Sequence, residues 1–277
     1  MEYIELNISV ADSEQSEIVV ALLSDYPFEA FDEAEGELRA YIQTAEWSQC
    51  QKWVESMLVE QGFRFAALEV EQQNWNAEWE SSFDAVDVVG EKPIRIRAEH
   101  HPAPEEGVID VVIAPRMSFG TGHHTTTALM SATIAAEDVA GKSGLDMGCG
   151  TGVLAIVALK CGAERMVAVD IDDWACDSCR DSIALSGVEE RVDVRCGSID
   201  VVGDEKFDFI LANINRNILQ MMMERFSAVL QSGGWIAMSG FLEEDAEAVA
   251  QSAAEQGLKR VGQQMRDGWV VMVCKKQ

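Results

Sequence analysis

The chain has 277 residues, of which 48% are hydrophobic and 25% charged, so it can bury a substantial core in one or two domains. It contains no apolar stretch of about 18 uncharged residues and no basic segment ahead of an apolar run at its start, so neither a membrane helix nor a signal peptide is expected. Seven scattered cysteines, an odd number, do not resemble a disulfide framework. We therefore expect a soluble, cytoplasmic protein.

The net charge of −27 is concentrated near the start of the chain. Residues 1–80 carry 18 acidic and 3 basic side chains, whereas the remaining 197 residues carry 30 and 18. So acidic a surface repels nucleic-acid phosphates and attracts basic partners, which predicts no direct nucleic-acid binding. Charge alone leaves open that the acidic residues only keep the protein in solution.

The first seventy residues alternate between strand and helix patterns in the order β-α-β-β-α-β, which is the ferredoxin-like arrangement. We predict a small α+β domain over residues 1–72 and a Trp-rich linker over residues 73–84. The predicted strands are Tyr3–Val10, Phe28–Phe31, Leu38–Ile42 and Phe63–Val70, and the helices are Ser13–Asp25 and Ala45–Glu60.

Residues 85–277 alternate strand and helix patterns, which predicts a Rossmann-like α/β domain with a parallel sheet. Four of the five prolines lie between residues 93 and 115, so the chain there is rich in loops. The predicted strands are Ile94–Arg97, Val108–Ile113, Gly144–Met147, Met166–Asp170, Val192–Arg195, Phe207–Asn213, Trp235–Ser239 and Trp269–Cys274.

A glycine-rich turn follows the strand predicted at Gly144–Met147. It runs Asp146-Met147-Gly148-Cys149-Gly150-Thr151-Gly152 and leads into an apolar helix. Small residues let the backbone turn sharply and approach a ligand closely. The dinucleotide pattern would need glycine at Val153, and Asp146 would repel a pyrophosphate. Because S-adenosylmethionine instead presents a cationic ammonium and sulfonium, this turn predicts an S-adenosylmethionine site.

Asp170 closes the next predicted strand, 22 residues after Gly148. A carboxylate at this position can accept hydrogen bonds from both hydroxyls of a ribose, and Ile171 beside it can pack on adenine. The alternative is a structural glycine turn followed by a surface aspartate. Motif, spacing and strand context together favour the cofactor site.

The segment Pro115–Thr127 combines two close glycines, the pair His123 and His124, and three threonines ahead of a helix. This composition is typical of a loop that contacts a ligand, because threonines can cap the helix or donate to a carboxylate. A histidine pair can also bind zinc, but no cysteine and histidine set has ligand spacing, so no metal site is predicted.

Four motifs together resemble the ribosomal-protein methyltransferase family often called PrmA. They are F-G-T-G-x-H-x-T-T at Phe119–Thr127, D-x-G-C-G-x-G at Asp146–Gly152, the strand-ending Asp170, and A-N-I at Ala212–Ile214. The resemblance covers nearly the whole chain. That family trimethylates the eleventh protein of the large ribosomal subunit, and its small ferredoxin-like N-terminal domain grips the substrate.

The resemblance implies an S-adenosylmethionine-dependent protein-lysine N-methyltransferase that acts on amino groups of a basic large-subunit ribosomal protein, on lysine side chains or also on the N-terminus. We expect the chain to be a monomer. The resemblance also implies a class I methyltransferase domain with a seven-stranded, mostly parallel sheet. The site residues expected from motif and resemblance together are Phe119, Gly120, Thr127, Asp146, Gly148, Gly150, Gly152, Asp170, Ile171 and Asn213. Phe119 and Gly120 would close over the methionine end of the cofactor.

Asn213 ends a strand at the carboxyl edge of the predicted sheet, where ligands bind in such folds. Ile214 follows it, so the Pro-Pro-aromatic clamp for a planar amide or base is absent. A flexible aliphatic amine suits this site better, and Asn213 and Thr127 are expected to orient the amine or the cofactor. The alternative is that Asn213 only caps the next helix.

Three other functions remain open at this stage. The same cofactor domain could methylate a small molecule or RNA, although the acidic N-terminal domain argues against RNA. Val153 and Asp146 argue against a Rossmann oxidoreductase, and only an assay excludes an inactive binding module. The C-x-x-C of Cys176 and Cys179 has no second pair and is interpreted as structural or incidental.

Overall fold

A computed structural model describes residues 3–24, 26–34, 36–70, 84–90, 92–114 and 122–277. The chain forms two compact units, Met1–Trp75 and Asn76–Gln277. The predicted linker lies almost entirely outside the described residues, so the predicted domain boundaries stay a prediction. No helix in the described part of the chain is long and apolar enough to cross a membrane.

The first unit contains a four-stranded antiparallel sheet in the order β2-β3-β1-β4, which confirms the ferredoxin-like topology. Side chains of β1 alternate between buried and partly exposed, and its buried Leu6 and Ile8 pack with Val54 and Leu58 of the second helix. Its elements are β1 Tyr3–Ser9, α1 Ser13–Leu23, β2 Phe28–Ala34, β3 Glu37–Gln43, α2 Thr44–Glu60 and β4 Phe65–Val70.

The second unit begins with a small sheet and continues with alternating strands and helices. The small sheet consists of β5 Val86–Val88, β6 Ile94–Arg97 and β7 Ile109–Val112. The strands of the large sheet are β8 Ser143–Met147, β9 Arg165–Asp170, β10 Val192–Cys196, β11 Phe207–Asn213, β12 Leu230–Leu242, β13 Leu258–Arg266 and β14 Trp269–Lys276. The helices are α3 Thr125–Ala136, α4 Val153–Lys160, α5 Asp173–Ser186, α6 Arg216–Val229 and α7 Ala246–Glu255.

The large sheet has the strand order β10-β9-β8-β11-β12-β14-β13. Strands β8 to β12 are parallel, and β14 runs antiparallel to both β12 and β13, so the prediction of a seven-stranded, mostly parallel sheet is confirmed. The order in which the strands are added reverses at β8: β9 and β10 extend the sheet on one side of it, whereas β11 lies on its other side. The carboxyl ends of β8 and β11 therefore flank the crevice where open α/β sheets bind ligands.

Strand β13 does not appear among the predicted strands. Its sequence, LKRVGQQMR, is mostly polar, and nearly all its side chains are exposed because it forms the edge of the sheet. The burial that produces an alternating pattern is absent there, so only pairing with β14 reveals the strand. The three-residue strand β5 was also missed.

Two cysteines that the sequence did not pair lie together in the second unit. A disulfide joins Cys176 of α5 to Cys196 of β10, with Cα atoms 6.1 Å apart. The odd number of scattered cysteines argues against a framework of several disulfides, but it does not exclude a single disulfide. These two residues meet because α5 crosses from β9 to its parallel neighbour β10 and returns the chain to the same sheet edge.

The surroundings of Gly144 show how tightly the central strands of the large sheet are packed. A Cβ there would collide with the Phe209 ring and lie 2.6 Å from Met166 Sδ, and Phe209 is held by stacking on Trp235 at 5.1 Å. We expect Gly144→Ala to lower the unfolding free energy by about 1–3 kcal/mol through overpacking. Chemical denaturation followed by fluorescence measures this change.

Gly262→Ala is the matched control for that substitution. It adds the same methyl group to the same sheet, but the nearest atom, Val273 Cβ, is 3.9 Å away. Its effect should stay within about 0.5 kcal/mol. Equal losses for the two variants would contradict the packing argument.

Candidate active site

A cavity of about 600 Å³ opens at the carboxyl ends of β8, β9 and β11. This volume lies within the range of small-molecule sites. Its walls are mainly apolar, with few polar groups among them. The lining residues are His124, Thr126, Met147, Gly148, Gly150, Asp170, Ile171, Asp172, Ala175, Asn213, Ile214, Asn215, Ile218, Met222, Gly240 and Trp269.

The glycine loop between β8 and α4 forms one wall of this cavity. Gly148, Gly150 and Gly152 all have positive φ, at +73°, +51° and +76°. A Cβ on Gly148 would collide with Ile214, and one on Gly152 would lie 2.6 Å from Cys179 Sγ. Glycine is therefore needed both for the turn and for the close packing around it.

Asp146 lies beneath the loop, fully buried and outside the cavity lining. Its Oδ2 accepts a hydrogen bond from the Ala155 amide at 3.0 Å, in the first turn of α4, and its Oδ1 has no partner among the described residues. Burial raises the pKa of Asp146 from 3.8 to about 7; the Ala155 amide opposes this rise and the Asp170 charge adds to it.

Asp170 fastens the glycine loop to the end of β9. Its Oδ2 accepts from the Gly150 amide at 2.9 Å and its Oδ1 from the Asp172 amide at 3.2 Å. Its carbonyl oxygen accepts from the Gly197 amide at 2.7 Å. Each carboxylate oxygen accepts one of these bonds and retains a second acceptor position, so the group can still accept two hydroxyl hydrogen bonds.

Asn213 and the start of α3 form a directional hydrogen-bond chain. Asn213 Nδ2 donates to Thr126 Oγ1 at 3.1 Å, and Thr126 Oγ1 lies 2.8 Å from His124 Nδ1. The Thr126 amide also donates to His124 Nδ1, at 3.3 Å, so that nitrogen is an acceptor and Thr126 donates its hydroxyl proton to it. The Asn213 amide is thereby fixed in one orientation.

This orientation leaves one polar atom unsatisfied. Asn213 is 9% exposed, and its Oδ1 has no hydrogen-bond partner among the described residues. A buried acceptor without a donor costs about 1–3 kcal/mol, which a ligand with an N–H group would recover. The Trp269 ring contacts the His124 ring edge to face, with centroids 4.7 Å apart, and both residues line the cavity.

The structure brings some of the predicted site residues together and leaves others apart. Gly148, Gly150, Asp170, Ile171 and Asn213 all line the cavity. Asp146, Gly152 and Thr127 lie behind its walls; Thr127 is 1% exposed, and its hydroxyl has no partner among the described residues. Phe119 and Gly120 lie outside the described residues.

Sequence reasoning missed three cavity residues that the hydrogen bonds and ring contacts make prominent. His124 and Thr126 belong to the loop it singled out, but Thr127 was selected in place of Thr126. Adjacent residues on a helix point about 100° apart, and only the packing of α3 decides which one faces the cavity. Trp269, more than 140 positions along the chain from His124, had no local signal.

A family model described as ribosomal protein L11 methyltransferase (PrmA) matches residues 5–277. The chain belongs to this family. It is 34% identical over 278 residues to the ribosomal protein L11 methyltransferase of Phocaeicola vulgatus, with 98% of each chain covered. It is 36% identical over 266 residues to the one from Porphyromonas gingivalis, covering 92% of this chain and 89% of the other.

A solved structure agrees with this membership. The crystal structure of ribosomal protein L11 methylase from Lactobacillus delbrueckii subsp. bulgaricus superposes with a TM-score of 0.64 at 25% identity, over 70% of this chain and 100% of the other. The resemblance inferred from the motifs is therefore confirmed.

Within the described residues, no three His, Cys, Asp or Glu side chains are placed to hold a metal ion.

The buried Asp146 predicts a distinctive dependence of stability on pH. Because its pKa is raised in the folded state, the folded chain holds this proton more tightly, and the contribution of Asp146 to the unfolding free energy falls as pH rises from about 4 to about 7. Between pH 5 and pH 8, the unfolding free energy of Asp146→Asn should therefore fall by about 2–3 kcal/mol less than that of the wild-type chain. Denaturant titrations at both pH values measure it.

Glu164→Gln serves as the control, since it removes an exposed carboxylate of the same unit. This variant should keep the wild-type dependence on pH. If Asp146→Asn also kept it, the buried carboxyl would not be the group that titrates.

Proposed function

We propose that this chain transfers methyl groups from S-adenosylmethionine to lysine side chains of ribosomal protein L11. The observation that carries the proposal is the coincidence of full-length family membership with a cavity holding the glycine loop, Asp170 and Asn213 on one crevice. No specific feature of the chain favours a small molecule or RNA as the acceptor.

The residues around the cavity fit S-adenosylmethionine. Gly148 and Gly150 present backbone without side chains, which gives room for the methionine part of the cofactor. Asp170 can accept the ribose hydroxyls, and Ile171, 75% exposed at the rim, offers an apolar surface for adenine. Bound there, S-adenosylmethionine supplies an electrophilic methyl group on a sulfonium.

The ionised form of Asp146 adds favourable electrostatics to this site. It is buried behind the glycine loop, where its charge acts through a medium of low polarity. A cationic ligand in the cavity stabilises the carboxylate form and so lowers the pKa of Asp146 toward its usual range. Cofactor binding is then accompanied by proton release from this group near neutral pH.

The acceptor side needs a neutral amine. Deprotonating a lysine with an ordinary pKa near 7 costs about 4–5 kcal/mol, and an apolar cavity beside a positive charge lowers that cost. Asn213 Oδ1, fixed by Thr126 and without another donor, accepts a hydrogen bond from the incoming nitrogen and orients its lone pair toward the methyl group. Positioning and exclusion of water supply the catalysis.

The acidic charge of the first 80 residues supports a basic protein as the partner. Ribosomal proteins are commonly basic, and a strongly acidic unit increases their rate of encounter by electrostatic steering. Because steering between exposed charges is screened by salt, productive binding should weaken between low and physiological ionic strength.

The decisive test is methyl transfer from labelled S-adenosylmethionine to a mixture of free ribosomal proteins. We expect one labelled basic protein, L11, with methylated lysines found by mass spectrometry, and a KM that rises with salt. Label on RNA or on a small-molecule fraction, with none on protein, would overturn the proposed acceptor while leaving the cofactor site intact.

The role of the hydrogen-bond chain can be tested at Thr126. Thr126→Val keeps the side-chain shape but removes the hydroxyl, so Asn213 loses its fixed orientation. We expect kcat to fall about 10- to 100-fold from lost positioning, with cofactor affinity within about threefold of wild type. Thr126→Ser should restore most of the rate.

Thr125→Val is the matched control. It removes the neighbouring hydroxyl, which bonds to Asp267 at 3.1 Å and not to Asn213. Its kcat should stay within about twofold of wild type. If Thr126→Val were equally harmless, Asn213 would not depend on this chain for its orientation.

A further inference from the structure

The disulfide of the second unit lies beside the turn that carries Asp170. Cys176 belongs to the first turn of α5 and Cys196 is the last residue of β10, and their Cα atoms are 6.1 Å apart. This separation lies in the usual range for a disulfide. Neither sulfur takes part in the methyl transfer proposed above, so the pair needs a different explanation.

Both cysteines are connected to the turn by backbone contacts. Cys196 is the register partner of Asp170 across β10 and β9, and the Gly197 amide donates to the Asp170 carbonyl oxygen at 2.7 Å. On the other side, the Cys176 amide donates to the Asp172 carbonyl oxygen at 3.0 Å, and Cys176 Sγ lies 3.6 Å from the Asp170 carbonyl oxygen. The disulfide therefore joins the two elements, β10 and α5, that hold this turn.

The same turn forms part of the cavity at the carboxyl ends of β8, β9 and β11. Asp170, Ile171 and Asp172 all line that cavity, and so does Ala175, the residue directly before Cys176. A covalent bond between α5 and β10 restrains these residues before a ligand arrives. Less entropy is then lost when the ligand binds.

The two sulfurs differ in their access to solvent. Cys196 is exposed, Cys176 is fully buried, and the other five cysteines are buried or partly buried. Arg180 Nη2 lies 3.8 Å from Cys196 Sγ, while Arg180 Nη1 pairs with Asp177 at 2.8 Å, which offsets part of its charge. A guanidinium at this distance stabilises a thiolate, the form of cysteine that attacks a disulfide. Cys196 is thus the cysteine that a reagent in solution reaches first.

We propose that Cys176 and Cys196 form a reversible thiol–disulfide couple that sets the affinity of the cavity for its cofactor, with Arg180 activating Cys196. The disulfide form binds S-adenosylmethionine more tightly, because the Asp170 turn is then held covalently from both sides. The dithiol form holds the turn by hydrogen bonds alone. The inference rests on the proposed function for the identity of the ligand and extends it by assigning a control of that site.

The oxidant is a low-molecular-weight disulfide, for which glutathione disulfide is the probe. The Cys196 thiolate attacks one of its sulfurs, the S–S bond of glutathione disulfide breaks, and one glutathione leaves as a thiolate. Cys176 loses its proton and attacks the Cys196 sulfur of the mixed disulfide, so the second glutathione leaves. Two protein thiols are oxidised, one small disulfide is reduced to two thiols, and these take up the two protons. Excess small thiol reverses both steps.

The test compares the oxidised and the reduced full-length chain. One sample is equilibrated with glutathione disulfide and the other with a phosphine reductant, and alkylation followed by peptide mass spectrometry reports whether Cys176 and Cys196 are free. Calorimetric titration with S-adenosylmethionine should give a Kd about three- to tenfold higher for the reduced chain. Cys196→Ser should show the Kd of the reduced wild type under both conditions.

Cys161→Ser is the matched control. It removes a partly exposed cysteine of the same unit that lies outside the disulfide, and it should keep the full response to reduction. Free Cys176 and Cys196 after equilibration with glutathione disulfide would overturn the couple. A wild-type Kd that is the same in both states overturns its control of the site and leaves the proposed function standing. A chain that forms the disulfide but binds no S-adenosylmethionine in either state overturns the proposed function together with the ligand assigned here.

The activation of Cys196 is tested separately by the rate of disulfide formation. Arg180→Gln should slow the reaction with glutathione disulfide about three- to tenfold near pH 7, because the thiolate loses its neighbouring cation. Arg266→Gln removes an arginine from β13 at the opposite edge of the sheet and should react within about twofold of the wild-type rate. Equal rates for the two variants would contradict the role given to Arg180.

Discussion

The hydrogen bond from the Gly150 amide to the Asp170 carboxylate is the constraint on which the rest of the site depends. It ties the loop after β8 to the end of β9 at 2.9 Å. Both then lie beside the crevice between β8 and β11, where the strand order reverses. Because the donor is a backbone amide of the turn, the bond does not depend on the rotamer of a donor side chain. Asp170 is thus oriented before any ligand arrives, which reduces the entropy lost on binding.

The opposite wall of the crevice is organised by side chains and not by backbone. Asn213 donates to Thr126 and Thr126 donates to His124, whereas the Asn213 Oδ1 is buried without a hydrogen-bond donor among the described residues. Folding tolerates this unsatisfied atom because the rest of the unit is densely packed around α4, whose helical residues Val153–Leu159 are all buried. The cost is recovered when an N–H group binds.

Charge is used differently in the two parts of the chain. The first 80 residues are acidic over their whole length and suit long-range attraction of a basic protein. In the second unit individual acids have local tasks: Asp146 is buried and titrates near neutral pH, and Asp170 fixes a loop. Net charge therefore says little about the chemistry of the site.

The sequence by itself determined the elements whose signals are local. A strand, the Gly148–Gly152 turn and an apolar helix must occur in this order, because the glycine spacing and the all-apolar run allow little else. Asp170 and Asn213 were predicted at the carboxyl ends of their strands, and the structure has β9 and β11 end there. The ferredoxin-like order of the first unit also followed from hydrophobic periodicity alone.

Only the tertiary structure decided which side chains meet. The rotation of α3 turns Thr126 and not Thr127 toward Asn213, and β14 brings Trp269 to His124 from the far end of the chain. Pairing with β14 revealed the polar edge strand β13, and the crossover through α5 joined Cys176 to Cys196. Helix rotation, edge pairing and long-range contacts are set by packing across the whole unit, and a local sequence pattern carries no record of them.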